Sequence, residues 1–508
     1  MRSPSMQATT TPPGDFLYRR LSSDLEEKIR LGQLRAGEKL PSLRVLQQSL
    51  GLSLATVYQA YLELEKGGWI EARPRSGFYV RPLRLLNRLP PRPSPRASHP
   101  RQVQLAAITA DVINASLDPE LIPLGASILS PDLLPHKHLG RLIKRTAASN
   151  VGEMLTYAPL DGDPELRRII ARRLVGLLPG VRARDLLITN GCTEGVALAL
   201  SVLARSGDVV AVEAPTHFGF LQLLREMGLK AVGVPADPRT GLDLSALAKV
   251  LDQYEVKACL VIPNFHNPLG ALMPAEKREE LVRLTNLRGV PLIEDDVYGE
   301  MHFGPRRPGL LKRFDRRDMV ITCSSVSKVL APGFRIGWCI PGERFGGPIR
   351  RLKSAMSMAA PTLQQRVVAE FLAGGAFDRY LRMLRGRLQR QVAETVLAVQ
   401  HHFPAATRLA MPRGGNMLWL ELPAGVSGVE VYRRGLDEGV SSVPGGAFAV
   451  DGGFGNYVRL SCTSPFDARV ESGVATLGRI TGELEQEARI ATPSGRSSDD
   501  RGNRERAT

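Results

Sequence analysis

Leu17, Leu21, Leu25 and Ile29 recur at every fourth position, one apolar stripe that predicts an amphipathic helix ended by Gly32. Pro41-Ser42 opens a second, shorter helix carrying Leu43, Leu46 and Leu50, closed by Gly51. Ser53 is a natural N-cap for a third helix with Val57, Tyr61 and Leu64 on one face, and Gly67-Gly68 stops it. Two strand-like runs follow, Trp69-Ile70-Glu71 and Phe78-Tyr79-Val80, around the turn Arg73-Pro74-Arg75-Ser76-Gly77. Farther along, the pattern changes to short apolar runs separated by helix-like stretches. The runs are Leu186-Leu187-Ile188, Val209 to Val212, Ala258 to Ile262, Pro291-Leu292-Ile293 and Met319-Val320-Ile321. That alternation predicts an α/β domain whose mainly parallel sheet is buried on both faces. Such sheets bind ligands beyond the carboxyl ends of their strands.

Composition separates the two patterns. From Arg81 to Arg101 there are six arginines, several prolines and no acidic residue, a mixture that favours extended chain. Residues 81–118 therefore read as a linker between a small domain, 15–80, and a large one, 119–485. Residues 486–508 read as a polar, disordered tail. A chain of 508 residues with 43% hydrophobic and 23% charged residues is ordinary for a globular protein of more than one domain. Its apolar runs all fall short of the roughly 20 residues that span a bilayer. The five cysteines are scattered singly, which argues against zinc and disulfides and fits a reducing cytoplasm. A net charge of +16 permits a polyanionic partner.

Helix, helix-turn-helix and basic hairpin together form the layout of a winged helix-turn-helix, whose third helix enters a major groove. The runs Gly37-Glu38-Lys39-Leu40-Pro41-Ser42-Leu43-Arg44 and Gly51-Leu52-Ser53-Leu54-Ala55-Thr56-Val57 resemble the DNA-binding domain of the GntR family. The resemblance implies that Arg44 and Thr56 reach phosphates or bases of double-stranded DNA, with Ser42, Ser53 and Tyr58 beside them. It also implies that Arg75, Ser76 and Gly77 of the wing lie near the minor groove. Family members often carry an arginine after the recognition-helix serine, where this chain has Leu54 and Ala55. Readout then leans on thymine methyls or on the wing.

The chemistry of the large domain gathers at the predicted strand ends. In Ser324-Ser325-Val326-Ser327-Lys328, a lysine sits among hydroxyls with Arg335 seven positions on. Such an amine can form a Schiff base with an aldehyde cofactor while the hydroxyls and guanidinium hold the cofactor's phosphate. Asn190-Gly191-Cys192-Thr193-Glu194-Gly195 opens an apolar helix, a place for an anion. Asn267-Pro268 and Glu294-Asp295-Asp296-Val297-Tyr298 follow two other runs. A carboxylate for a ring nitrogen, an amide and a phenol for a ring hydroxyl, and a lysine all suit pyridoxal phosphate.

With these motifs in this order, the large domain resembles the class I aminotransferases of fold type I: a large domain around a mainly parallel sheet, then a smaller C-terminal α+β domain. The resemblance implies Lys328 as the Schiff-base lysine, Asp295 on the pyridine nitrogen, and Asn267 with Tyr298 on the ring hydroxyl. Asp296 is the other acid that the spacing allows. The resemblance further implies Cys192, Thr193, Ser325 and Arg335 around the phosphate, and Tyr157 reaching the phosphate of a partner subunit in a homodimer. Arg459, with Asn416 near it, would grip a substrate carboxylate. The ring-stacking position falls on His217, with Phe218 as the alternative. Glu194 reads as a capping or solvated residue, and His136, His138 and His266 as surface or loop histidines rather than metal ligands. A GntR-like domain before an aminotransferase-like one is the layout of MocR-type regulators. That layout implies a transcription regulator that senses the cofactor, an amino compound or both. A working aminotransferase with an accessory DNA-binding domain is the other reading.

Overall fold

The computed structural model describes residues 17–30, 34, 38–66, 69–73, 76–80, 88–94, 97–103, 108–115, 118–149 and 151–491. They fall into two units that divide between residues 87 and 88.

In the small unit, α1 (Leu17–Arg30), α2 (Leu43–Leu50) and α3 (Leu54–Lys66) precede a hairpin of β1 (Ile70–Arg73) and β2 (Gly77–Val80). Leu21, Leu25 and Ile29 of the α1 stripe are buried with Val57, Ala60, Tyr61 and Leu64 of α3, as fourfold spacing dictates for one helix face. Tyr61 anchors the packing twice. Its hydroxyl donates to the Pro41 carbonyl at 2.8 Å, and its ring meets Phe78 edge-on at 5.0 Å. Ser42 caps α2 by accepting from the Val45 amide, and Gly51 ends it at φ 65°.

In the large unit a nine-stranded sheet runs in the order Arg101–Gln102, Lys230–Asp237, Val209–Ala214, Val256–Val261, Leu292–Asp295, Val320–Ser325, Gly337–Ile340, Leu187–Thr189, with Gly241–Leu242 paired to the second strand. The four pairings from Lys230–Asp237 through Val320–Ser325 are parallel. Alternate residues go to opposite cores: Val210, Val212, Leu260, Ile293 and Ile321 to one, Ala211, Cys259, Val261, Leu292 and Val320 to the other. This two-faced burial is why the strands read as unbroken apolar runs. A second sheet, all antiparallel, orders Arg408–Leu409, Met417–Glu421, Tyr457–Ser461 and Val443–Pro444.

Two boundaries differ from the sequence expectation. The helix Ala468–Ala491 carries the large unit past 485 into the expected tail, and the rest of that tail, residues 492–508, lies outside the described ones. The expected linker differs too: its described residues from Arg88 on belong to the large unit and rest on it, and residues 81–87 lie outside the described ones. The Arg88 guanidinium donates to the carbonyls of Pro404 (2.7 Å), Thr407 (2.9 Å), Gln400 (3.0 Å), Phe403 (3.0 Å) and Val399 (3.5 Å), capping the helix Gly375–His402. Arg408 and Leu409 donate to the Pro90 and Leu89 carbonyls, and the Arg92 amide donates to Glu421. Farther on, Ser98 exchanges bonds with Gly233, and Arg101–Gln102 adds an edge strand. Composition distinguishes poorly between an extended chain in water and one resting on a protein surface.

Candidate cofactor site and nucleic-acid interface

In the small unit the expected contact residues lie at the surface. Ser42, Arg44, Ser53 and Gly77 are exposed, Tyr58 is 47% exposed and Thr56 is half-buried. Ser53 does act as the cap of α3: its hydroxyl accepts from the Thr56 amide at 3.1 Å and pairs with the Thr56 hydroxyl at 2.7 Å. That leaves acceptor capacity on both oxygens. Exposed apolar side chains, Val45, Leu50 and Leu54, stand among them. In the hairpin, Arg73 lies over the Tyr79 ring at 4.3 Å and Ser76 bonds the Tyr79 hydroxyl. Arg75 lies outside the described residues.

In the large unit, the carboxyl ends of the parallel strands bring Asn267, Asp295, Tyr298 and Lys328 together with Arg459 of the second sheet. Asn267 is the hub. Its Nδ2 faces the Tyr298 hydroxyl and His217 Nδ1, both at 3.3 Å, while its Oδ1 accepts from Arg459 at 3.2 Å. Lys328 Nζ donates to the Ser127 carbonyl at 2.8 Å and lies 5.9 Å from the centre of the Tyr298 ring. The Ser127 hydroxyl donates to Asn416 at 3.0 Å. Arg459 also bonds the Gly125 carbonyl. The segment Gly125-Ala126-Ser127 belongs to this network, and sequence reasoning missed it, since a carbonyl acceptor leaves no residue-type signal.

Of the two adjacent acids, Asp295 faces the lysine, whereas Asp296 is paired with Arg307 at 2.5 Å and accepts from Asn264 at 2.6 Å. Burial pushes the Asp295 carboxyl up to about 7, against hydrogen bonds from Cys192 and the Val297 amide and the positive charge of Lys328. His217 is pushed down to about 3 by burial and by the charges of Lys328, Arg459 and His266, so its ring is neutral. Its bond to Asn267 turns it to the site, while Phe218 packs toward Phe448 at 5.7 Å. Gly219 leaves it space: a Cβ there would lie 2.7 Å from His217 Nε2. Burial also draws the Arg459 guanidinium down to about 10.

The anion end is built from the helix Cys192–Leu203 and the loop of Arg335. Gly191 adopts φ 84° before that helix, and a Cβ on it would collide with the Arg335 guanidinium, which donates to the Asn190 carbonyl at 3.0 Å. The Thr193 side chain is exposed at the first turn, and the buried Ser325 hydroxyl accepts from the Ser327 amide. Cys192 departs from expectation. Its thiol turns away from the anion end and donates to Asp295 Oδ1 at 3.4 Å, leaving its backbone amide as the group at the helix start. Tyr157 is 81% exposed and stands apart from this cluster in its own chain. Glu194 accepts from the Asn190 amide at 2.6 Å, a capping role. His266 is no surface residue: it is wholly buried, with Nε2 3.0 Å from Glu213 Oε2.

Several buried polar atoms in this region have no hydrogen-bond partner: Arg459 Nε, Asn416 Nδ2, Ser327 Oγ and Thr216 Oγ1. Unmet buried donors cost free energy unless a ligand satisfies them. Two nitrogens suit a carboxylate, and a hydroxyl beside Ser325 suits a phosphate, so the set fits a phosphorylated aldehyde with an amino-acid-like ligand.

The comparisons agree with this division. The family described as "Aminotransferase class I and II" matches residues 120–477, and "Bacterial regulatory proteins, gntR family" matches residues 17–80. The chain is 34% identical over 461 residues to the uncharacterized HTH-type transcriptional regulator YjiR of Escherichia coli strain K12, covering 91% of this chain and 98% of that protein. It is 32% identical over 378 residues to the 2-aminoadipate transaminase of Thermus thermophilus, covering 74% of this chain and 93% of the enzyme. The crystal structure of LysN, an α-aminoadipate aminotransferase from Thermus thermophilus complexed with N-(5'-phosphopyridoxyl)-L-leucine, aligns with TM-score 0.70 at 30% identity over 76% of this chain and 97% of that one. Among the described residues no helix is long and apolar enough to cross a membrane. With a gntR-family helix-turn-helix ahead of a class I and II aminotransferase domain, the chain belongs to the MocR-type regulators.

Proposed function

We propose that this chain is a transcription regulator of the cytoplasm that binds double-stranded DNA through its small unit. In this reading the large unit holds pyridoxal 5'-phosphate on Lys328 and senses the cofactor, an amino compound or both. The observation that carries the proposal is the presence, on one chain, of an exposed helix-turn-helix face and a closed set of cofactor-type groups at one sheet edge.

When bound, the cofactor supplies an aldehyde for a primary amine and a ring that withdraws electrons. Lys328 provides the amine, held by the Ser127 carbonyl. Asp295 provides a carboxylate for the ring nitrogen. Asn267 and Tyr298 serve the ring oxygen, and neutral His217 covers the ring face. The start of the helix Cys192–Leu203, with Thr193, Ser325 and Arg335, takes the phosphate. Arg459 and Asn416 grip a ligand carboxylate. On DNA, Arg44, Thr56, Ser42, Ser53 and Tyr58 make the contacts of the helix-turn-helix, and Arg75 and Gly77 those of the wing. Two copies pair as a homodimer, in which Tyr157 serves the partner's phosphate.

The test measures DNA affinity by fluorescence anisotropy, with and without cofactor and a panel of amino acids, for the wild type and Lys328→Ala. A sensor shows a ligand-dependent change of about 5–150-fold, the range of about 1–3 kcal/mol common for coupled sites, and Lys328→Ala abolishes it. Equal affinities in all conditions would remove the sensing role. The relation to 2-aminoadipate transaminase, together with the unmet donors of Arg459 and Asn416, favours one second reading, a working aminotransferase. Sustained turnover of an amino acid with a keto acid, at constant DNA affinity, would establish that reading in place of the first.

A further inference from the structure

Cys192 opens the helix at the anion end, yet its side chain is only 8% exposed and serves a different group. The thiol donates to Asp295 Oδ1 at 3.4 Å, and the Val297 amide donates to the same oxygen at 3.0 Å. Neither bond uses Oδ2. A carboxylate pinned through one oxygen presents the other in a fixed direction, and both donors favour its charged form. The groups facing this carboxyl are few. Lys328 approaches from the loop after Val320–Ser325, Asp296 follows on its own strand, and Cys192 comes from the helix with Cys323 beside its thiol. Burial and Asp296 work against ionisation; Lys328 and the two donors work for it.

We propose that Cys192 is a positioning residue for the cofactor: its S–H keeps Asp295 charged and turns Oδ2 toward the ring nitrogen. The inference rests on the reading that the large unit holds pyridoxal 5'-phosphate. A thiol is a weak donor, and a serine hydroxyl in its place is a stronger one. The series Ala, Cys, Ser at position 192 therefore grades the strength of one hydrogen bond with little change in volume.

The experiment titrates the full-length, cofactor-free protein with pyridoxal 5'-phosphate from pH 5 to 9 and follows the visible band of the bound cofactor. Wild-type affinity is expected to fall toward acid as Asp295 takes up a proton. In Cys192→Ala that acid limb moves to higher pH, with affinity near neutrality roughly 3–10-fold weaker, the scale of one ordinary hydrogen bond, as suits a weak thiol donor. Cys192→Ser, with its stronger donor, carries the limb below the wild-type position. An unmoved limb in Cys192→Ala, or a Cys192→Ser that behaves like alanine, overturns the role and leaves the thiol as packing. If the alanine variant melts too early to titrate, the serine variant decides alone, since an unchanged limb there has the same meaning. Absence of any bound-cofactor band in the wild type instead removes the cofactor reading on which this role stands.

Discussion

In the small unit the candidate DNA contacts Ser42, Arg44, Ser53 and Tyr58 stand at the surface, and their bonds are local caps. In the large unit Asn267, Asp295, Tyr298 and Arg459 are all at most 5% exposed, and their bonds join segments up to 334 residues apart in sequence. The difference follows from what each meets. A polyanion is bound by neutralising many phosphates at a surface, so each residue contributes modestly and independently. A small cofactor is handled by few groups whose geometry and protonation depend on the exclusion of water.

The sharpest way to break this comparison is to remove the support of the exposed face. Leu64 is 1% exposed on the core face of α3. Leu64→Ala is expected to destabilise the small unit by about 2–5 kcal/mol and to abolish DNA binding, while cofactor binding survives. Paired measurements of DNA affinity and the visible spectrum check it, and loss of both activities would show the units to be mutually dependent.

Next in size is the carboxylate clamp. Arg459→Ala removes a charged hydrogen-bonding partner worth about 1.5–3 kcal/mol, so a carboxylate-bearing amine is expected to bind roughly 10–100-fold more weakly while cofactor affinity holds. Spectral titration with an amino acid and with its decarboxylated amine separates the two, because only the former should be affected.

Asp295 tests the cost of burial. Its carboxyl is raised from 3.8 to about 7. Between those values the folded chain holds a proton that the unfolded chain has released, so this group's contribution to stability falls as pH rises through the window. Asp295→Asn can accept the same two hydrogen bonds without the charge. The cofactor-free variant is expected to match wild type near pH 4 and to exceed it by on the order of 2 kcal/mol at pH 8. Urea melts at the two pH values decide, and a variant less stable at pH 8 would show that the charge is well solvated.

The smallest effect belongs to the surface. Arg44→Ala is expected to flatten the slope of log affinity against log salt by roughly one phosphate's worth. An unchanged slope takes Arg44 off the contact surface.

What could be read in advance divides along the same line as the two units' chemistry. The gathering of Lys328, Asp295, Asn267 and Tyr298 could be read, because parallel strands bring their carboxyl ends to one edge. The cap at Ser53 and the α3 face of Val57, Tyr61 and Leu64 were legible from spacing alone. The carbonyls of Gly125 and Ser127 were not, since any residue carries one. Nor was the direction of the Cys192 thiol, which depends on a rotamer in the first turn of a helix rather than on its place in a motif. His266 is a loop histidine, as it reads in the sequence, but its burial was not legible, since its partner Glu213 lies on a strand 53 positions earlier.

The clamp at Arg88 bears on how such a chain can be cut. A fragment begun near residue 119, where the composition turns ordinary, would take the Arg88 donor from five carbonyls in and just beyond the end of the helix Gly375–His402 and remove an edge strand. A fragment begun at residue 88 would keep both. The point at which the large unit becomes self-sufficient is thus set by one guanidinium, inside a stretch whose composition reads as a spacer.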